Sequence, residues 1–296
     1  MEEALASLVQ AILSGLAIGC LYTLIALGYN LTYVVNGTVN MGQGQLVMIG
    51  AMLMVTFTTF LDLPFFIALI LVGLILGILG ILLEVISVRK FVQDKTSVNW
   101  VLSTLAVGII LQDLALFIWG PEETRLVSPV GEGMFEFLGA GIYWKELMMI
   151  PAVGVFLLLL MLFYLKSHWG LWLRATADNK VATNLNGVNS NYTVAIAFGL
   201  SALLAGLAGG LITPIYAVFA SMGLSLGLKA IAVAIVAGLN NAKGIVICGL
   251  GLGIVEVLVA MYISPGFREM IVYIVVILIL FIKPNGLFGT KETIKV

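Results

Sequence analysis

The chain has 296 residues, of which 61% are hydrophobic and 10% charged, with a net charge of −1 and a mean hydropathy of +1.16. This composition excludes a soluble domain, and the absence of a basic excess argues against a nucleic-acid-binding role. Because a bilayer core of about 30 Å needs roughly 20 apolar residues per helix, the sequence predicts an all-α integral membrane protein.

The apolar segments predict about 8–10 membrane helices. Nine candidates lie near residues 8–34, 42–61, 65–87, 97–119, 147–165, 191–214, 223–238, 245–263 and 267–282. Lysine and arginine are enriched in cytoplasmic loops. With the N-terminus outside and the C-terminus in the cytoplasm, ten of the fourteen basic residues fall on the cytoplasmic side, so this topology is preferred.

The first two segments are separated by the polar stretch NGTVNMGQGQ, residues 36–45. Its amide side chains are Asn36, Asn40, Gln43 and Gln45. Non-helical backbone at membrane depth survives only where it is buried in protein or lines a wet cavity. Two interpretations are open: the amides line a translocation path, or the stretch is a plain cytoplasmic turn.

Two features follow in the middle of the chain. Asp113 lies within segment 97–119, where a carboxylate either faces the bundle interior or reaches back to the outer interface.

Residues 120–146 form a longer outer loop with several acidic residues. This loop is either a short hairpin or lid, or a solvated connection without function.

A second polar interval, residues 166–190, separates the fifth and sixth segments. Thr176 or Asp178 is expected to cap a short helix there, and Gly187 occupies the usual glycine position at its end. Arg174 is four residues from Asp178, so the two can pair across one helical turn. The residues expected to share one apolar face are Val181, Ala182 and Leu185. The interval therefore predicts a small amphipathic helix outside the membrane.

The second half of the chain repeats features of the first. MGQGQLVMIGAM (41–52) resembles MGLSLGLKAIAV (222–233), and GLILGILGILLE (73–84) resembles GLGLGIVE (249–256). In the preferred topology the matched segments run in opposite directions, which indicates the inverted repeat common in transporters, with Gly-interrupted half-helices near the path. The predicted single domain 1–296 comprises a first repeat at about 8–119, a cytoplasmic coupling region at 166–190 and a second repeat at about 191–282.

Lys229 and Glu256 lie in neighbouring apolar segments of the second repeat. A charged residue inside a membrane segment is a functional candidate and needs a partner. Either Lys229 faces the path and meets a substrate carboxylate, or the two residues form an ion pair that locks two helices together.

Enzymatic activity is not expected of this chain. It has no GxxxxGK[ST] phosphate-binding loop and no GxSxG motif. His168 is the only histidine, and no metal cluster or cofactor site is predicted.

Five stretches carry a family resemblance: NGTVNMGQGQLVMIGA, GLWLRATADNKVATNLNGV, FGLSALLAGLAGGLITP, GLKAIAVAIVAGL and KPNGLFG. In this order, over nearly the whole chain, they resemble the LivH-type permease subunits of bacterial branched-chain amino acid ABC importers. That family usually reads N-F-A-H-G where this chain has Asn40, Met41, Gly42, Gln43 and Gly44. The departure leaves the solute open among hydrophobic amino acids, urea, short amides and aromatic acids.

The resemblance implies a permease in the bacterial inner membrane, paired with a LivM-like second permease subunit or a second copy. Two cytoplasmic subunits that use ATP and Mg²⁺, and a periplasmic solute-binding protein, would complete the importer. Residues 174–187 would match the helix that contacts the ATPase, through Arg174, Ala175, Asp178, Asn179, Ala182, Leu185 and Gly187. The alternative is an autonomous ion-coupled transporter or channel, with Asp113, Lys229 and Glu256 as coupling candidates.

Overall fold

The computed structural model describes residues 2–91, 98–126, 129, 131, 133–137 and 139–289. The α-helices within these ranges are α1 (Glu2–Asn36), α2 (Gln43–Thr59), α3 (Phe65–Leu83), α4 (Asn99–Trp119), α5 (Trp144–Lys166), α6 (His168–Asp178), α7 (Lys180–Leu185), α8 (Ser190–Ile212), α9 (Met222–Ala237), α10 (Ala242–Tyr262) and α11 (Arg268–Ile282). A π-helical turn (Glu84–Val88) extends α3, a 3₁₀ turn (Pro265–Phe267) precedes α11, and the strands are β1 (Met134–Phe137) and β2 (Ala140–Tyr143).

Seven helices in the described part of the chain are long and apolar enough to cross a membrane: α1, α3, α4, α5, α8, α10 and α11. The apolar helices α2 and α9 are shorter, with 17 and 16 residues. These nine helices coincide with the nine segments predicted from hydropathy, and the all-α membrane fold is confirmed. The two short helices are the segments that share the MG-initiated match between the halves of the sequence.

The helices α1 and α8 form the centre of the bundle. In the most apolar 18-residue stretches of α1 and α8, 78% and 83% of the residues are buried, compared with 11% in the corresponding stretches of α5 and α11. The outer helices therefore present apolar side chains to their surroundings, as expected for lipid-facing or subunit-facing surfaces.

The largest helix contacts of the bundle come in matching pairs. These contacts have counterparts when α1, α2, α3 and α4 are interchanged with α8, α9, α10 and α11. Helix α1 packs on α10 as α8 packs on α3, and α2 packs on α8 as α9 packs on α1. Likewise, α2 contacts α4 as α9 contacts α11. Any internal repeat related by a two-fold axis, parallel or inverted, produces this pattern, so the inverted direction and the repeat boundaries stay predictions.

Small residues allow α1 and α10 to pack with their backbones in contact. A Cβ atom added at Gly15 would lie 2.6 Å from the Cα of Ile254, and one added at Gly19 would lie 2.7 Å from the Cα of Leu250. On the opposite helix, a Cβ at Gly253 would overlap backbone atoms of Gly15 and Gly19. The Gly15–Gly19 spacing is thus a close-approach surface, as the small-xxx-small pattern predicts.

We expect Gly253→Ala to destabilise the protein by about 1–3 kcal/mol, because the added methyl group forces α1 and α10 apart. Gly251→Ala is the matched control, since a Cβ at Gly251 meets no atom within 4 Å. Thermal unfolding in detergent, followed by helical circular dichroism, measures both variants. Equal midpoints for the two variants would contradict the assigned packing.

The bundle has two ends, here called the hairpin end and the linker end. At the hairpin end, β1 and β2 pair antiparallel, with Met134 opposite Tyr143, so the described part of residues 120–146 contains the expected short hairpin. The Thr124 and Val218 backbones exchange two hydrogen bonds of 2.9 and 2.8 Å. The linker end carries α6 and α7 and corresponds to the predicted cytoplasmic side.

The KPNGLFG segment, which follows α11, closes the end of α9. The Leu287 and Phe288 amides donate to the carbonyls of Val236 and Ala237 at 2.7 and 3.2 Å. Asn241 Nδ2 in turn donates to the Phe288 carbonyl at 3.0 Å. These bonds satisfy carbonyl groups that every helix leaves free at its C-terminus, and they fasten the C-terminal segment to the bundle.

Candidate functional site

The polar stretch between α1 and α2 is a buried turn. The Asn40 side chain is 2% exposed, and its Oδ1 accepts a 3.0 Å hydrogen bond from the Gly42 amide. Thr104 Oγ1 on α4 accepts from the Met41 amide at 3.3 Å. The backbone groups that a non-helical segment exposes are therefore partnered by side chains inside the protein, as burial requires.

Gln43 and Gln45 join the helices around this turn. Gln43 Nε2 donates to the Ser201 carbonyl on α8 at 2.9 Å, and Gln45 Nε2 donates to Gln112 Oε1 on α4 at 3.0 Å. Gln45 Oε1 is buried and has no hydrogen-bond partner among the described residues. Both glutamines are thus buried between helices in this conformation.

Asn36 connects the same turn to the linker helices. Its Nδ2 donates to Thr38 Oγ1 at 2.7 Å, and its Oδ1 accepts from Lys180 Nζ at 2.5 Å. Lys180 is the first residue of α7. A displacement of α7 can therefore reach the end of α1 through a direct polar contact.

The linker contains two helices, and Asn179 separates them. Its Oδ1 accepts hydrogen bonds of 3.0 Å from the amides of Val181 and Ala182, the geometry of an N-cap. The prediction that Thr176 or Asp178 caps this helix is wrong, because both residues belong to α6. The φ angle of −160° at Asn179 interrupts the helix after Asp178.

Arg174 packs against the end of α5. Its Nε and Nη2 donate to the carbonyls of Gly170 and Leu165, both at 3.3 Å, and its guanidinium lies 5.8 Å from the centre of the Tyr164 ring. The ion pairs of the described residues do not include the expected Arg174–Asp178 pair, so that prediction is wrong. The guanidinium is engaged in holding α6 on α5.

Helix α7 presents apolar side chains away from the bundle. Val181 and Leu185 are 69% and 84% exposed, and Ala182 is exposed between them. Gly187 adopts a φ of +84° just beyond the helix, the left-handed conformation expected of a terminating glycine. Exposed apolar groups on a short projecting helix are typical of a protein-binding surface.

A charged cluster joins α9, α10 and α11 near the hairpin end. Lys229 Nζ lies 2.9 Å from Glu256 Oε1 and 3.0 Å from Glu269 Oε1. Arg268 Nε contacts the same Glu256 oxygen at 2.6 Å, and Arg268 Nη2 donates to Tyr216 Oη at 2.8 Å. The predicted Lys229–Glu256 contact is present, but it is one part of a four-charge network.

A cavity of about 400 Å³ lies beside this cluster. Its polar lining includes Lys229, Arg268, Glu269, Tyr216 and Tyr22. The cavity also has an apolar wall, formed by Ile212, Phe219, Met222 and Leu226. Glu256 stands behind Lys229 and Arg268 and is fully buried.

Asp113 shares no ion pair with the described residues of these sites. It lies on the exposed face of α4, and it takes part in none of the ion pairs formed by the described residues. The structure therefore does not join it to Lys229 or Glu256.

Comparison with known proteins identifies the family. Residues 11–280 match the family described as "Branched-chain amino acid transport system / permease component". The chain belongs to this permease family. It is 27% identical to the high-affinity branched-chain amino acid transport system permease protein LivH of Escherichia coli K12, with both chains covered completely. It is also 27% identical to BraD of Pseudomonas aeruginosa, over 97% of each chain. Identity to the probable LivH of Methanocaldococcus jannaschii is 29%, over 91% of this chain and 89% of the relative. No solved structure matches the chain significantly.

The permease is a transport subunit rather than an enzyme, and its charged cluster contains residues that sequence reasoning missed. Arg268, Glu269 and Tyr216 were not among the expected site residues. Arg268 follows Glu256 by twelve residues. Since Glu256 and Arg268 are separated only by the end of α10 and a short turn, that spacing was the available signal.

Proposed function

We propose that this permease forms the transmembrane path of an ATP-driven bacterial importer for branched-chain or related hydrophobic amino acids. The observation that carries the proposal is the match to transport permeases over nearly the whole chain. The sequence contains no phosphate-binding loop of the GxxxxGK[ST] type. Transport energy would therefore come from another subunit.

The proposed assembly contains this chain and a LivM-like second permease subunit or a second copy of the chain, both embedded in membrane lipid. Two ATP-binding subunits, which use ATP and Mg²⁺, would dock at the linker end. A periplasmic solute-binding protein would deliver the amino acid at the hairpin end. The enrichment of basic residues in the loops of the linker end supports a cytoplasmic location for that end. It also supports an N-terminus outside the inner membrane and a C-terminus in the cytoplasm.

Helix α7 is the proposed coupling element. Its exposed Val181 and Leu185 offer apolar anchors of the kind that dominate protein interfaces, with Ala182 between them. The Lys180–Asn36 contact supports transmission of its movement to α1 and the polar turn. Within the expected set, Asn179 and Gly187 set where α7 begins and ends. Arg174, Ala175 and Asp178 belong to α6, which anchors the linker.

Co-purification and reconstitution test this proposal. Mass spectrometry of proteins that co-purify with the permease is expected to identify an ATPase and a second permease or a second copy. In proteoliposomes that contain the complex and its binding protein, labelled L-leucine should accumulate only with ATP and Mg²⁺. Uphill accumulation by the permease alone, driven by an ion gradient, would instead support the ion-coupled alternative.

A further inference from the structure

We infer that the cavity at the hairpin end is a binding site for the α-carboxylate and α-ammonium groups of a hydrophobic amino acid, recognised by Lys229 and Glu269. This inference rests on the proposed function and names a substrate site within it. Two cations, the Glu269 carboxylate and an apolar wall line a single cavity, and a second carboxylate, Glu256, is buried behind the two cations. A hydrophobic amino acid carries the same three kinds of group.

The two carboxylates that share Lys229 are not equivalent. Glu256 is fully buried and is also held by Arg268, so displacing it would leave buried charges without partners. Glu269 has a side chain that is 57% exposed and lines the cavity. An arriving carboxylate can therefore compete with Glu269 for Lys229, because a released Glu269 carboxylate stays more than half exposed, whereas a displaced Glu256 would stay buried without a partner.

The exchange also provides a partner for the ammonium group. Once released from Lys229, the Glu269 carboxylate remains at the cavity wall and can accept hydrogen bonds from the ligand ammonium. Arg268 keeps the buried Glu256 partnered throughout by its 2.6 Å contact, and Arg268 itself is held by the 2.8 Å hydrogen bond that it donates to Tyr216 Oη. The ligand thus forms two charge-assisted hydrogen-bonded contacts while the total charge of the site is unchanged.

Charge balance distinguishes the candidate solutes. The four charges of the cluster sum to zero, so a zwitterion leaves every charge with a partner. A carboxylic acid without the amine would leave Glu269 unpaired, and an amine without the carboxylate would find Glu269 still paired with Lys229. Urea and short amides carry no charge with which to open the Lys229–Glu269 pair. The site therefore favours α-amino acids, because unpaired groups weaken the binding of the wrong ligand.

The remaining walls fit an apolar side chain. Ile212, Phe219, Met222 and Leu226 line the cavity, and about 400 Å³ falls within the roughly 300–1,000 Å³ range of small-molecule pockets. By contrast, the groove of about 250 Å³ between α3, α5 and α8 is lined almost entirely by leucine and other apolar residues. That groove offers no group for a carboxylate or an ammonium.

The experiment is equilibrium binding of labelled L-leucine to the full-length permease in lipid nanodiscs, without ATPase or binding protein. We expect saturable binding that unlabelled L-leucine displaces. Leucinol, 4-methylpentanoate and urea should fail to displace it. Glu269→Gln should weaken binding by about tenfold or more. Glu123→Gln, which alters an exposed acid of the same end outside the cavity lining, should bind as the original protein does.

Three results would overturn the inference: no saturable leucine binding, equal affinity in the Glu269 and Glu123 variants, or displacement by leucinol, 4-methylpentanoate or urea. Folding of each variant is checked by size-exclusion chromatography, and Glu269 is exposed enough for the substitution to be tolerated. ATP-driven uptake by the complete complex is measured separately. Failure of the binding site with intact uptake would therefore leave the proposed function standing.

Discussion

Glu256→Gln is expected to lower the free energy of unfolding by about 3–5 kcal/mol, the effect of removing one member of a buried ion-pair network. Lys229 and Arg268 both donate to Glu256 Oε1, at 2.9 and 2.6 Å. The substitution keeps the shape of the side chain but leaves two cations with less negative charge near them. Thermal or chemical unfolding of the purified permease in detergent measures the loss.

Glu269→Gln serves as the comparison for this prediction. It removes a carboxylate from the same lysine, but the side chain is 57% exposed, so a loss of less than about 1 kcal/mol is expected. Adding Lys229→Met to Glu256→Gln should restore part of the stability, because one unpaired cation disappears. Full restoration is not expected while Arg268 remains. A Glu256→Gln variant as stable as the Glu269→Gln variant would show that the cluster does not lock the helices.

The Lys229–Glu256 pair shows how much of the site could be predicted from the sequence. An intramembrane lysine needs a partner, and Glu256 was an available carboxylate in a neighbouring segment. The sequence could not indicate that Glu269 competes for the same lysine, because this depends on how α11 folds back beside α9. The two interpretations of Lys229, an ion pair that locks two helices and a group that faces the path, are thus compatible. Glu256 contacts Lys229 from the buried side, and Glu269 and the cavity lie on the other side.

In the linker, local sequence patterns predicted the helix and its exposed face correctly but not the partners of its polar residues. Exposed apolar residues on a short helix and a terminating glycine were predictable from local pattern alone, and Val181, Leu185 and Gly187 lie as expected. The cap was not assigned correctly, although Asn is as good an N-cap as Ser or Asp. Thr176, Asp178 and Asn179 are three polar candidates within four residues. Only the break in the helix at Asn179 decides which side chain faces the free amides of α7. Arg174 was misjudged because its partners are backbone carbonyls rather than the nearby carboxylate.

Leu185→Asp is expected to reduce ATP-driven leucine uptake by at least about 100-fold in the reconstituted complex. If α7 docks on the ATPase as proposed, loss of an apolar anchor weakens that interface by about 2–4 kcal/mol, and a charge buried there adds a desolvation penalty. Folding should be unaffected within about 0.5 kcal/mol, since the side chain is 84% exposed and surface substitutions have small effects on stability. The measurements are initial uptake rates and the amount of ATPase that co-purifies.

Leu61→Asp provides the matched control, because Leu61 is also exposed, at 57%, but lies at the hairpin end. It introduces the same charge into the same protein and should leave co-purification of the ATPase unchanged. If α7 is the docking element, only the Leu185 variant separates the permease from its ATPase while both variants insert and elute alike. Near-normal uptake by a well-expressed Leu185→Asp variant would instead move the docking surface away from α7. The Lys180–Asn36 contact would then be a structural tether between the linker and α1.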